Sequence, residues 1–165
     1  MHMISKQLLV GNIEAAREIH PAIGALLLVA QEYDVTPPSW VDYAKIPLKE
    51  FAAADPQQVR EAVEWIERKI GGSRVLVCCR AGMGRSASIV IAYLCCVEGL
   101  SYGEALKLVS NRRPGALPLP SLEETITLVK QLRAEQAALA HEANSPDRPT
   151  DRPADRPARK RKRIA

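Results

Sequence analysis

Cys79 is followed six positions later by Arg85 and then by Ser86, inside the run RVLVCCRAGMGRSASIV that spans residues 74–90. Cysteine supplies a nucleophile that works as a thiolate, and arginine supplies a planar fork that can take two oxygens of a phosphate at once. Cys79 alone among the four cysteines has an arginine at that spacing: six positions on, Cys78 meets Gly84, Cys95 meets Ser101 and Cys96 meets Tyr102. The residues between, Arg80, Ala81, Gly82, Met83 and Gly84, form a short glycine-containing loop. Glycines let such a loop turn inward, so that main-chain N–H groups converge on an anion. The first-turn amides of a following helix have no intrahelical partner and add to the same site. The chemistry expected is attack of the Cys79 sulfur on a phosphorus whose oxygens Arg85 and the loop amides hold, with the same donors favouring the thiolate.

The elements needed to position that loop are legible. Residues 74–78 are a continuous apolar run, as expected of a strand buried on both faces, and a helix should start at Ser86 and run to about Val97. Further strands are expected at residues 7–10, 25–29 and 43–46. Asp55-Pro56-Gln57-Gln58 reads as a helix start, with Asp55 as the cap, Pro56 in the first turn and Val59, Ala62, Val63 and Ile66 on one apolar face before Gly71-Gly72. Ser101-x-x-Glu104 and Ser121-x-x-Glu124 read as capping boxes for two more helices. Strands alternating with helices predict an α/β fold: one domain, with a central, mostly parallel sheet of four to five strands flanked by helices.

The 165 residues suit one domain with an extension. Eight of the 23 basic and four of the 19 acidic residues lie from Glu142 onward, so the body is formally neutral and the net charge of +4 resides in the tail. That excludes a broad basic face of the kind that marks a nucleic-acid binder. Residues 1–141 are expected to fold, and 142–165, with its D-R-P repeats and final RKRKR cluster, to be a disordered basic tail, either a solvated extension or an electrostatic handle for nucleic acid or acidic lipid. No apolar run is long enough to cross a bilayer, and the first residues lack an export pattern, so a cytoplasmic protein is expected, with the nucleus as the alternative in a eukaryotic cell because of the RKRKR cluster. The cysteines fall in adjacent pairs, a spacing suited neither to structural zinc nor to a disulfide. The isolated His2, His20 and His141 are assigned no role. Trp40 and Trp65 are expected to be packing anchors, as are Cys95 and Cys96.

The segment around Cys79 resembles the dual-specificity branch of the protein tyrosine phosphatase superfamily, whose signature is H-C-x-x-G-x-x-R-[ST] between a strand and a helix. The resemblance extends to ISKQLLVGN, YAKIPLKEF, SIVIAYL and SYGEALKLVSNRRPGALPLPSLEETI, and so to roughly residues 3–132. It implies a phosphocysteine intermediate on Cys79, a phosphoryl clamp at Arg85 and a hydrogen bond from Ser86 to the leaving sulfur. It also implies a general acid at or near Glu50, with Asp55 as the rival that reads more naturally as a helix cap. The chain departs from the family in three places. Cys78 replaces histidine, which is expected to slow turnover near neutral pH; Glu50 replaces aspartate as the acid; Leu119 follows Pro118 where asparagine is frequent. The expected function is hydrolysis of phosphotyrosine, phosphoserine and phosphothreonine esters of proteins by a monomer, through a shallow, permissive pocket and without metal or organic cofactor. The alternatives are a phosphoinositide or RNA 5′-phosphatase, or a phosphate-binding scaffold with weak catalysis.

Overall fold

In the computed structural model, residues 1–144 are described. Nearly all of the expected basic tail, from residue 145 on, lies outside them. Five strands form one sheet in the order β1-β2-β5-β3-β4: β1 His2–Met3, β2 Leu8–Gly11, β3 Ala25–Ala30, β4 Asp42–Leu48 and β5 Val75–Cys78. Only β1 is antiparallel to its neighbour. β5 lies between β2 and β3, with Cys78 level with Gly11 on one side and Leu28 on the other. Every residue of β2, β3 and β5 is buried, as parallel strands covered on both faces require. β4 closes one edge of the sheet, which is why Pro47 is accommodated there.

Five helices complete the described part: α1 Ile13–Arg17, α2 Pro56–Ile70, α3 Arg85–Cys96, α4 Tyr102–Arg112 and α5 Leu122–Ala143. α3 runs through the centre, buried from Arg85 to Cys95, and touches the sheet, α2, α4 and α5. α2 buries Val59, Ala62, Val63 and Ile66, as the periodicity predicts, with the Asp55 side chain capping Gln57 N–H at 2.9 Å. α4 begins in the expected capping box between Ser101 and Glu104. No helix among the described residues is long and apolar enough to cross a membrane.

Several expectations need correction. β1 and α1 were not predicted, being two and five residues long. Ser121 makes no capping box: it sits at φ +53°, and this left-handed backbone departs from the extended conformation in which an N-cap hydroxyl reaches the N3 amide. α5 runs to Ala143, so the expected boundary after residue 141 falls within a helix. Trp40 is 61% exposed and anchors nothing, whereas Trp65 packs, half-buried, against the core.

Candidate active site

β5 delivers Cys79 to the end of the sheet, and the next residues turn under tight steric control. Gly82 has φ +68°, and a Cβ there would come within 2.7 Å of the Gly11 carbonyl carbon and oxygen. Both the left-handed conformation and the close approach to β2 therefore require glycine. Gly84, at φ −96°, has no such need.

The carbonyls of this loop are all held from outside. Arg80 O accepts from Ile13 N–H at 3.1 Å, Met83 O from Leu117 N–H at 2.9 Å, and Gly84 O from the Ser88 hydroxyl at 2.9 Å. Arg113 donates through Nη2 to Ala81 O and through Nε to Gly82 O, each at 2.9 Å. By contrast, none of the main-chain N–H groups from Arg80 to Ser86 donates a hydrogen bond among the described residues. Fixing the carbonyls outward leaves a run of amide donors available to one anion, reinforced by the N-terminal end of α3.

Cys79, 2% exposed, has its Sγ 3.2 Å from Ser86 Oγ. Arg85 is buried, and Glu32 grips its guanidinium end-on: Nη1 donates to Oε2 and Nη2 to Oε1, each at 2.6 Å, while Nη1 also donates to Leu48 O at 3.2 Å. The hydrogen bonds from Arg85 hold the Glu32 carboxyl down at about 2, and reciprocally raise Arg85 above its ordinary value. Nε of Arg85 makes no hydrogen bond among the described residues, and Nη2 keeps a second hydrogen beyond the one it gives Glu32, so this side of the guanidinium can still offer a fork to two oxygens of a tetrahedral oxyanion.

These groups border a cavity of about 490 Å³, lined by Cys79, Arg80, Ala81, Met83, Gly84 and Arg85 together with Glu50, Phe51 and the segment from Leu117 to Pro120. Glu50 places Oε1 3.1 Å from Arg80 Nη2 and Oε2 3.8 Å from Arg85 Nη2. Asp55 caps α2 and does not line this cavity. Cys78 is wholly buried and faces Gly11 rather than the cavity; burial pushes its thiol well up. Burial likewise raises Cys95, and Cys96 to about 11. Leu119 contributes its main chain: its N–H donates to Ser88 Oγ at 2.8 Å, tying the outer segment to the start of α3.

Cys79, the loop, Arg85, Ser86 and Glu50, expected from sequence, thus border one cavity or lie in direct contact with a group that does. Glu32, Ser88 and Arg113 were missed. Glu32 follows β3 by two residues and Arg113 ends the segment Asn111-Arg112-Arg113 before a proline; nothing local marks either as a partner of a distant loop.

Residues 14–133 match the family model described as the dual specificity phosphatase catalytic domain. The chain belongs to that family. Among curated dual-specificity phosphatases, the Drosophila melanogaster protein Mpk3 is 31% identical over 96 residues, covering 56% of this chain and 23% of that protein. The mouse dual specificity protein phosphatase 15 is 34% identical over 86 residues, covering 52% of this chain and 34% of its own length. These matches therefore span a quarter to a third of the relatives' lengths. Among solved structures, a mouse dual-specificity phosphatase described as putative and complexed with zinc tungstate superposes with a TM-score of 0.71 at 24% identity, covering 82% of this chain and 89% of that one. Tk-PTP in its active form gives 0.64 at 26% identity, covering 78% and 95%. The dual-specificity phosphatase fold thus accounts for the sheet order and for the strand–loop–helix at Cys79.

Proposed function

We propose that this chain is a cysteine-dependent phosphatase acting on phosphorylated proteins. The observation that carries the reading is the Cys79 thiol at the start of a run of unpaired amides that ends beside the open fork of Arg85. The Cys79 thiolate attacks phosphorus, the ester P–O bond breaks, and Glu50 gives its proton to the departing oxygen. Arg85 and the loop amides hold the equatorial oxygens as charge spreads over them. Water then attacks the phosphocysteine, Glu50 takes up its proton, and the S–P bond breaks with Ser86 Oγ donating to the returning thiolate. Glu50 fits the acid role better than Asp55 because it borders the cavity. An entering phosphate competes for both guanidinium groups and so releases Glu50 from its contacts with Arg80 at 3.1 Å and Arg85 at 3.8 Å, freeing its carboxyl to carry the proton it donates.

Hydrolysis of a chromogenic aryl phosphate by the wild type and by Cys79→Ser tests the reading. Turnover should vanish in the variant; equal rates in both would reject it. Glu50→Gln should slow an alkyl phosphate, which needs a proton as it leaves, far more than a nitrophenyl phosphate, which does not. Were Asp55→Asn to show that pattern instead, the acid would be misassigned.

A further inference from the structure

Large apolar side chains that stand in solvent need a reason, and two of them border the cavity over Cys79. Phe51 is 76% exposed and Leu117 is 71% exposed. They come from segments remote in sequence, after β4 and between α4 and α5. Phe51 also sits at φ +61°, a left-handed conformation unfavourable to any bulky side chain. An exposed aromatic ring in a strained backbone gains little from folding, and such strain persists mainly where a site uses it. The Leu117 side is braced. Its N–H is bonded to Met83 O, Leu119 N–H is bonded to Ser88, and Pro118 and Pro120 restrict the main chain between and beyond them.

Charge points the same way. The cavity is lined by two cations, Arg80 and Arg85, and each is already paired, with Glu50 and with Glu32 respectively. A polyphosphorylated headgroup or a 5′-phosphorylated RNA would meet one oxyanion cradle and no further unpaired cation among the lining residues. A benzene ring would meet Phe51, Leu117, Met83 and two prolines, and the cavity volume is of ligand size.

The geometry points to Phe51 and Leu117 as an apolar collar that receives the aromatic ring of phosphotyrosine, making this site selective for aryl over alkyl phosphomonoesters. This rests on the phosphatase reading of the same cavity. Phosphotyrosine carries its phosphorus a ring's width from the peptide backbone, so the phosphate can reach the floor while the ring fills the collar. Phosphoserine, with one methylene in place of the ring, would draw peptide main-chain groups against an apolar rim and leave them poorly hydrogen-bonded.

The experiment compares kcat/KM for a phosphotyrosine peptide and a phosphoserine peptide of identical flanks in wild type, Phe51→Ala and Leu117→Ala. Binding of the same two peptides to Cys79→Ser is measured calorimetrically. Wild type should favour phosphotyrosine, and each truncation should lower the aryl-to-alkyl ratio roughly tenfold, the scale of a lost apolar contact in a pocket. A wild-type ratio near one, or a ratio that neither truncation changes, overturns the collar. Turnover without preference removes the collar and keeps the phosphatase. Absence of turnover with aryl-selective binding to Cys79→Ser, lost on adding Phe51→Ala, removes the phosphatase and keeps the collar. Failure of both turnover and binding overturns both.

Discussion

The Glu32 carboxylate meets Arg85 with both oxygens, each 2.6 Å from a different guanidinium nitrogen, and so decides which edge of the arginine remains open. Glu32→Gln keeps the shape and loses the charge. Arg85 should then wander within its burial site, and kcat/KM should fall by about tenfold, equivalent to about 1.4 kcal/mol of transition-state stabilisation.

The same pair has a signature in acid. Because Arg85 binds the ionised carboxylate, whose value drops from 4.5 to about 2, the contact contributes in full above about pH 4.5 and is lost as pH falls toward 2. Urea unfolding of wild type and Glu32→Gln should therefore show a gap in midpoint near neutral pH that narrows across this window. The Glu32 side chain is 41% exposed, so solvent screening keeps the gap small. A gap independent of pH would contradict the pairing.

Gly82 and Gly84 offer a contrast within one loop. Gly82→Ala forces a Cβ against the main chain of Gly11 at 2.7 Å in a left-handed backbone, and should lower stability by about 1–3 kcal/mol while weakening oxyanion binding. Gly84→Ala meets only Leu117 O, at 3.5 Å, and should stay within about 0.5 kcal/mol of wild type. Thermal unfolding with and without tungstate reads both effects; equal losses in the two variants would refute the distinction.

Arg113 reaches the loop through the carbonyls of Ala81 and Gly82, while its Nη1 donates to Pro114 O. Arg113→Ala should reduce tungstate affinity, and Arg113→Lys should fail to restore it, because one ammonium cannot replace a fork spanning two carbonyls. Full rescue by lysine would show that charge alone is what the loop requires.

What was readable in the sequence was what is encoded locally. The buried run before Cys78, the Cys79-to-Arg85 spacing, the Asp55 cap and the Ser101–Glu104 box each depend on residues within a turn or two of one another, and all four appear. Glu32 reaches Arg85 only once the sheet order sets β3 beside β5, and the contacts of Arg113 with the loop and of Ser88 with Leu119 exist only once the segment between α4 and α5 packs back onto the start of α3. Ser121 shows the limit from the other side. Its local pattern was a good cap, but in the folded chain its backbone is left-handed, and the hydroxyl makes no capping hydrogen bond.

A loop whose carbonyls are tied back while its amides stay unpaired is set in its working shape before any guest arrives. Its aligned dipoles repel one another, and a negative charge placed among them relieves that repulsion. Resistance to heat should accordingly rise with the concentration of free phosphate, by about 2.7 kcal/mol at a hundredfold excess over the dissociation constant. In a cell, the abundance of the folded chain would then be tied to the supply of phosphate.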